Sequence, residues 1–589
     1  MSRLSNIRGS NILSLYTGHD ASAVFIDKDN NLKILEYERF VKQRYASFTA
    51  HHANNGGIGT TDAQRKSFLQ YIKDNLKRTI KLIIIDDPLI NDRELLLKFF
   101  PEATFKIILH HEAHAASAFF TSPFNDATIL SFDGGGTDLY TGDRTMVERA
   151  RAINSLTYAK DPNTGKYSFC GPEGCRWIGS MTKAYTAKGT SIMESQLGYN
   201  LPLCDRPETS WQFTLGIPYN HIGRSISEIK PGPDSKDHSL VYAGKIMGLC
   251  GYGKIRQEWT KPLEQYYFLR GREWEHTEGQ ELDSLGSDIG MDLSYNALSG
   301  QDSYDLAATS QSVFEDISLK IIEQLLSFGH SKNIIIVGGC GLNVLFNQQL
   351  AKHLKKKNLN LYIPPWPNDC GLALGQLLHV TKTKIDLSVY SGFDILDREK
   401  FNDYKQDYNA TKCNVNELVD LLKDGNIIGI LQGNSEVGPR ALGNRSIICD
   451  PSIKNMKDTL NSKVKFREWY RPFAPVCRYQ DSEKYFDDVF ESKYMSYAPL
   501  VKEEYRETLP SITHIDGTAR LQTVRENDHK LFYDILTELN NREEIPVILN
   551  TSFNIRGAPI LTTIEDALHV LDNTEMDYVY IEGYIFKKK

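Results

Sequence analysis

Short apolar runs, each closed by a polar or Gly/Pro-bearing turn and many followed by a helical pattern, recur along this chain. Ile12-Leu13-Ser14-Leu15-Tyr16 reads as a strand, Thr17 to Ser22 as a tight turn, and Ala23 to Asp27 as the returning strand. Asp29-Asn30-Asn31 then turns the chain into Leu32 to Tyr37. Phe68 to Arg78 has helical periodicity, and Lys81 to Asp86 and Phe105 to Leu109 read as buried strands. The second of these runs straight into His110-His111-Glu112-Ala113-His114-Ala115-Ala116-Ser117-Ala118-Phe119-Phe120, whose alanines make a strong helix former. Ala127 to Phe132 is an apolar strand that delivers Asp133 to a predicted turn, Gly134-Gly135-Gly136. Residues 144–231 are irregular and rich in Gly, Pro, Tyr and Ser. Order returns at Val241 to Leu249, and Leu306 to Phe328 predicts a long amphipathic helix. Asn333 to Val337 is a strand opening onto Gly338-Gly339-Cys340-Gly341-Leu342-Asn343. Leu361-Tyr362-Ile363 leads through Pro364-Pro365-Trp366-Pro367-Asn368 to Asp369, Gly371 and a small-residue helix, Leu372 to Leu378. The pattern changes between residues 385 and 395, where a domain boundary is expected. Beyond it, Asn416 to Asp424 is a helix, and Ile427 to Leu431 and Val547 to Leu549 are strands. Alternating strands and helices predict an α/β fold.

Size and composition narrow this picture. A chain of 589 residues exceeds what one core serves and should split into two or three domains. A hydrophobic fraction of 41% and a charged fraction of 24% are ordinary for a globular enzyme. Net charge is −7 with both signs scattered, which argues against a protein built to neutralise nucleic-acid backbone. Nine Cys are spread thinly from Cys170 to Cys477, a usage that suits a reducing cytoplasm. Cys170 and Cys175 flank Gly-Pro-Glu-Gly with no second pair nearby, so a loop is expected there and not a zinc site. No apolar run approaches membrane-spanning length, and no signal-peptide core follows Met1-Ser2-Arg3-Leu4-Ser5, so a soluble cytoplasmic protein is expected.

Two constellations carry candidate chemistry. His110 and His114 are four residues apart and share a helix face, close enough to hold one cation. A lone pair at this spacing is commonly a surface accident, but the following Asp133-Gly134-Gly135-Gly136 adds a carboxylate and backbone N–H groups suited to a phosphate. A zinc peptidase is excluded, because His-Glu-x-x-His would need His at position 115, where Ala115 stands. Asp369, at another strand-to-helix turn, is a natural fourth ligand, and Gly338-Gly339 is a second glycine turn of the kind a two-lobed ATP cleft requires. The other constellation lies beyond the boundary. Gly438-Pro439-Arg440-Ala441-Leu442-Gly443-Asn444-Arg445-Ser446 is followed by Lys463, Lys465, Arg467, Arg471-Pro472-Phe473-Ala474-Pro475, Thr518-Ala519-Arg520 and Asn550-Thr551-Ser552-Phe553-Asn554. These imply a cationic, hydroxyl-lined pocket for small oxyanions. Solvated surface charge is a poor reading for Arg440 and Arg471, which stand among Pro, Gly, Phe and Ala.

These segments, with Lys245-Ile246-Met247-Gly248-Leu249, resemble the O-carbamoyltransferases of antibiotic and nodulation-factor biosynthesis, such as the tobramycin, cephamycin and ansamycin enzymes. The resemblance spans nearly the whole chain in the family's order. It implies an N-terminal actin-like ATPase domain over 1–385, akin to the transferase subunit of tRNA threonylcarbamoyladenosine synthesis, and a YrdC-like α+β domain over 390–589. The polar turn after the first strand, with a second glycine turn later, is also how actin-like ATPases meet ATP phosphates. By resemblance, the second domain turns carbamoyl phosphate and ATP, with Mg2+, into carbamoyl-adenylate using Arg440, Lys465, Arg471, Arg520 and Ser552. The first domain holds Fe2+ or a similar divalent ion on His110, His114, Asp133 and Asp369 and passes the carbamoyl group to a hydroxyl. Gly134, Gly135, Gly136, Gly338, Gly339 and Asn343 are the nucleotide-binding candidates, and His111 and His19 are the candidate bases. Expected partners are carbamoyl phosphate, ATP and a hydroxyl-bearing small molecule, with a homodimer admissible and neither membrane nor nucleic-acid polymer.

The chain departs from the family pattern at Asn434, Ala558, Cys250-Gly251-Tyr252-Gly253 and Arg44-Tyr45. Residues 144–231 suit either acceptor selection or an ordinary surface insertion. An actin-like ATP-binding regulator with an anion-sensing second half, or a kinase of that fold, is the rival reading. Turnover to carbamoyl-adenylate separates them.

Overall fold

The computed structural model describes residue 7 and residues 10–48, 57–85, 93–140, 157–160, 167–170, 176–194, 215–229, 239–272, 280–327 and 329–588. Strands β1 (Ile12–Tyr16), β2 (Ser22–Ile26), β3 (Leu32–Glu36), β4 (Leu82–Ile85) and β5 (Thr104–Ile107) form a sheet in the order β3-β2-β1-β4-β5. A second sheet follows from β6 (Asp126–Tyr140), β7 (Arg176–Lys188), β8 (Ser191–Glu194), β9 (Asn333–Val337) and β10 (Asn360–Tyr362), in the order β8-β7-β6-β9-β10. The strand directions repeat as well. In each sheet the first three strands are antiparallel, and the last two join parallel to the first. The hairpin read from residues 12–37 is therefore one half of a motif that the chain uses twice.

Helices α1 (His110–Thr121), α2 (Tyr242–Leu249), α3 (Gln301–Ser327) and α4 (Leu372–Thr381) belong to this half. α1 and α4 share one core with Val24 and Ile34 of the first sheet and with Ile129 and Val337 of the second. A helix enclosed on all sides has no polar face to spare, and Ala113, Ala115, Ala116 and Ala118 of α1 are all completely buried. Gly375 is the point of closest approach between the two helices. A Cβ built there would lie 1.8 Å from the Ala113 carbonyl oxygen, so only glycine lets α4 reach α1 at this separation.

The C-terminal half is built on a mixed sheet of β11 (Thr411–Lys412), β12 (Ile428–Leu431), β13 (Arg445–Cys449), β14 (Ala474–Arg478), β15 (Gln522–Val524), β16 (Val547–Ser552), β17 (Tyr578–Ile581) and β18 (Tyr584–Lys587). Its order is β11-β18-β17-β12-β13-β16-β14-β15. Successive side chains go to opposite faces, so Ile447, Cys477 and Leu549 enter one core while Ile448, Val476 and Ile548 enter the other. The whole is a mixed α/β structure.

Several expectations need correction. Gly134-Gly135-Gly136 is not a turn, because β6 runs on through it to Tyr140. The long helix begins at Gln301, ahead of Leu306, and the helix read at Phe68 begins at Asp62, where Thr61 caps it. The stretch 144–231, read as irregular, contains the long strand β7 and the paired strands Thr157–Lys160 and Tyr167–Cys170. The loop expected between Cys170 and Cys175 lies outside the described residues. No helix among the described residues is long and apolar enough to cross a membrane.

The two halves are interlocked across the expected boundary. Val437, Leu442 and Ala474 join the core around α1 and α4, and Tyr470, fully buried, joins the core around α2 and α3.

Gly375→Ala is expected to force α1 and α4 apart and to destabilise the fold by about 1–3 kcal/mol, the usual cost of overpacking a tight core. Denaturant unfolding measures it, and an unchanged midpoint would contradict the packing described here.

Candidate functional site

One site grows from α1. Its helical repeat stacks His110 above His114, with ring centroids 4.7 Å apart and Nε2 atoms 3.1 Å apart. Asp133 arrives from β6 at a bulge. The pairing with β7 slips between Ser180 and Thr182, so Asp133, Gly134 and Gly135 all stand opposite Met181. Such a bulge re-aims a strand side chain. Asp133 Oδ2 lies 2.9 Å from His110 Nε2 and 3.2 Å from His114 Nε2, and its Oδ1 accepts the N–H of Gly134 and of Gly339, each at 2.8 Å. Asp369 comes from the turn before α4. Its Oδ1 lies 3.3 Å from His114 Nε2 and 3.6 Å from His110 Nε2, while its Oδ2 accepts from the Tyr16 hydroxyl at 2.5 Å. His110, His114, Asp133 and Asp369 are all buried and present ligand atoms within 4.8 Å of one another.

Charge decides what such a cluster wants. Burial alone would raise the pKa of both carboxyl groups, yet the facing imidazoles hold Asp133 and Asp369 below their ordinary range. Burial alone would lower the His114 pKa, yet Asp133 and Asp369 push it up to about 9. Two buried carboxylates thus draw positive charge onto His114, and the two Nε2 atoms converge on the same space. Imidazole nitrogen and carboxylate oxygen are the donor set of a first-row divalent ion, so these residues fit a metal. The Nδ1 of His114 is buried with no hydrogen-bond partner.

His19 stands at the edge of this cluster, its side chain 22% exposed. Its Nε2 is 3.4 Å from Asp369 Oδ2 and its Nδ1 is 3.1 Å from Asp20 Oδ2. Against the lowering effect of burial, Asp369 and Asp20 push its pKa up to about 9. His111 is buried, with Nδ1 2.8 Å from Ser131 Oγ. Gly338 lies beside β6, and the Gly339 N–H is given to Asp133. Asn343 caps the next helix by accepting from Phe346 N and exchanges two hydrogen bonds of 3.0 Å with Gln311. Tyr16 was missed by the sequence reading, because its position in an apolar strand reads as core.

The other site lies in the C-terminal half. The loop bearing Arg440 is stapled by the buried Glu436 carboxylate, whose Oε1 accepts from Leu442 N at 2.7 Å, Asn444 N at 2.8 Å and Arg445 N at 3.2 Å. Arg445 is wholly buried and is spent on the carbonyls of Gln432, Gly433 and Asn444. Arg440 is different. Neither it nor Arg520 has an acceptor among the described residues, and the Nε of Arg520 is buried without one. Burial, then the neighbouring Arg471, lowers the Arg440 pKa to about 10. Burial, then Arg440, Arg467 and Arg471, holds Arg520 well below its ordinary value. Lys465 follows a π-helical turn, Leu460–Val464, and its Nζ donates to the carbonyls of Ser552 and Asn554 and to Asn554 Oδ1, each at 2.6 Å. Its Nζ is 3.3 Å from Ser552 Oγ, and burial, reinforced by Arg467, Arg471 and Arg44, holds its pKa well down. Arg471 is 3.5 Å from Glu468 Oε2, which makes it tethered but not saturated.

Arg440, Lys465, Arg471 and Arg520 therefore share one field, and Ser552 touches Lys465. Arg467, in the same basic run but not among the expected site residues, belongs with them, held by Asn461 and stacked on Phe473. Half-buried guanidinium groups with few acceptors of their own are a ready place for a small polyanion.

Comparison with known proteins supplies the family. Residues 61–378 match a model described as the carbamoyltransferase N-terminus, and residues 419–588 one described as the carbamoyltransferase C-terminus. An uncharacterized protein of Methanocaldococcus jannaschii is 32% identical over 98% of this chain and 99% of its own length. Nodulation protein U of Rhizobium tropici is 33% identical over 64% of this chain and 66% of its own. Among solved structures, full-length HypF in its phosphate- and nucleotide-bound form is similar with a TM-score of 0.28 at 12% identity, covering 62% of this chain and 61% of that one, too loose a likeness to carry an argument. The His/Asp cluster falls inside the N-terminal match and the arginine cluster inside the C-terminal match, in the family's order, and this chain belongs to the carbamoyltransferase family and is a carbamoyltransferase.

Proposed function

We propose that the protein makes carbamoyl-adenylate from carbamoyl phosphate and ATP at the arginine cluster and transfers the carbamoyl group to a hydroxyl of a small molecule at the His/Asp cluster. The observation that carries this reading is the pairing of two clusters of opposite charge: half-buried guanidinium groups, of which Arg440 and Arg520 have no acceptor among the described residues, and buried carboxylates that face two imidazoles. The repeated sheet of the N-terminal half supports an actin-like ATPase fold there, and a YrdC-like fold is proposed for the C-terminal half, with the boundary between residues 385 and 390. A kinase or an ATP-binding regulator gives no reason for the arginine cluster.

The steps balance as follows. Carbamoyl phosphate gives up inorganic phosphate to water, and a carbamate oxygen attacks the α-phosphorus of ATP, releasing pyrophosphate. The acceptor hydroxyl then attacks the carbamoyl carbon, AMP leaves, and the hydroxyl proton goes to a base. Arg440, Arg471 and Arg520 are assigned to grip phosphate oxygens, and Lys465, seated among the Ser552 and Asn554 oxygens, to neutralise the leaving group. In the N-terminal half, His110, His114, Asp133 and Asp369 would hold iron or a similar divalent ion, which supplies polarisation of a carbonyl oxygen when bound. His19 is assigned, in its neutral form, to take the acceptor proton, because it is partly exposed and borders the cluster, whereas His111 is buried against Ser131. The glycines 134–136 and 338–339 are assigned to the nucleotide by close backbone approach and not through the Gly134 and Gly339 amides, which Asp133 holds; the interlocked halves suit a guarded passage for a hydrolysis-prone intermediate.

Protein purified without chelator should carry stoichiometric first-row metal that His114→Ala removes. Elemental analysis showing no metal in either form would contradict the assignment. Asp133→Ala should abolish transfer to any acceptor while sparing carbamoyl-phosphate-dependent ATP–pyrophosphate exchange, and loss of both in a folded protein would rule out two separate sites. Arg440→Ala should slow that exchange by roughly a hundredfold with little change in melting temperature, as expected for one charge-assisted contact in a buried site. Arg440→Lys should rescue little, since the bidentate fork is lost. Exchange that survives in a protein that melts early would instead make Arg440 structural.

A further inference from the structure

The turn that presents Arg440 is held from the other half of the molecule. Arg39 lies on the short helix Tyr37–Val41 directly after β3, and its side chain is 2% exposed. Its Nη2 is 2.7 Å from Glu36 Oε2 and donates to the Gly438 carbonyl at 2.7 Å, while its Nη1 donates to the Glu436 carbonyl at 2.5 Å. Glu36 completes the clasp by accepting the Gly438 N–H at 3.4 Å. Gly438 has a φ of +108°, and a Cβ there would stand 2.5 Å from the Pro365 carbonyl oxygen, so the turn is also pressed onto the segment that leads to Asp369. The C-terminal half secures the loop beyond Arg440 by the Glu436 bonds to Leu442, Asn444 and Arg445. The approach to Arg440, from Glu436 to Gly438, is secured at its Glu436 and Gly438 carbonyls by Arg39 and at the Gly438 N–H by Glu36, while the Val437 N–H is given to the Val389 carbonyl at 2.8 Å.

We infer that Arg39 is a positioning residue for carbamoyl phosphate: acting through the Glu436–Gly438 peptides, it fixes the direction in which Arg440 points into the anion site. This rests on the reading of Arg440 as a phosphate grip. An ordinary buried ion pair would need only Glu36. Arg39 spends both terminal nitrogens on two carbonyls flanking a single residue, Val437, a geometry that a guanidinium fork offers and an ammonium does not. The first half, which carries the His/Asp cluster, would thereby set the anion grip of the second.

Calorimetric titration of the intact protein with carbamoyl phosphate tests this across wild type, Arg39→Lys, Arg440→Met and the double variant. Arg39→Lys keeps a charge for Glu36, so it guards against unfolding, and a melting curve for each variant accompanies the titration. Arg39→Lys is expected to weaken binding about tenfold, with the double variant no weaker than Arg440→Met alone, the non-additivity of residues acting as a unit. Wild-type binding by Arg39→Lys, or losses that simply add, would overturn the inference while leaving the Arg440 reading intact. Wild-type binding by Arg440→Met would overturn both.

Discussion

Like charges crowded together and wholly or half withdrawn from water need a partner of opposite sign, and this protein contains that condition twice. Asp133 and Asp369 face one space from a strand bulge and a helix-leading turn, and the imidazoles of His110 and His114 face them, with His19 beside Asp369. Arg440, Arg467, Arg471 and Arg520 lie close together: after burial, Arg471 lowers the pKa of Arg440 and of Arg467, and Arg440, Arg467 and Arg471 all lower that of Arg520. A buried ion without a partner costs several kcal/mol, far more than a surface ion pair returns. Clusters of this kind persist because something else completes them, and a divalent cation and a phosphate-bearing anion are the completions of matching charge.

The rest of the architecture keeps these groups in place. Helices α1 and α4 pack at glycine distance, which brings the histidines of one within reach of the aspartate that precedes the other. The bulge in β6 turns Asp133 toward them, and the Gly134 and Gly339 amides hold its second oxygen. In the other half the Glu436 carboxylate spends one oxygen on three backbone amides, which leaves the Arg440 loop little freedom. Tyr470 enters the core of the opposite half, and Glu468 beside it bridges Lys245 of α2 at 2.7 Å and Arg556 at 3.3 Å. The segment that carries Arg467 and Arg471 is thus rooted in both halves.

Much of this was legible because it is local. Alternation and turn residues disclosed the hairpin of residues 12–37, and helical spacing placed His110 and His114 on one face. Asp133 and Asp369 could be named because each reads as a carboxylate beside glycine at a strand-to-helix turn, although Asp133 lies within β6 and only Asp369 stands in such a turn. What the sequence concealed depends on contacts between distant segments. Gly134-Gly135-Gly136 reads as a turn, but its pairing with a strand some forty residues on keeps it extended. Gly339 reads as a phosphate amide, yet its N–H goes to Asp133, and Asn343 goes to a helix cap and Gln311. Tyr16 looks like core until Asp369 arrives, and nothing local singles out Arg39 until Gly438 does. Arg467 offered a signal that could have been used, standing two positions after Lys465 in a basic run.

The central claim is that the carbamoyl group is carried as its adenylate from one site to the other. Turnover with carbamoyl phosphate labelled with oxygen-18 in its carbonyl group tests this directly, by mass spectrometry of the AMP released. If a carbamate oxygen attacks the α-phosphorus and AMP is later displaced at the carbamoyl carbon, the label must appear in AMP. AMP that stays unlabelled while the acceptor is carbamoylated would contradict the account.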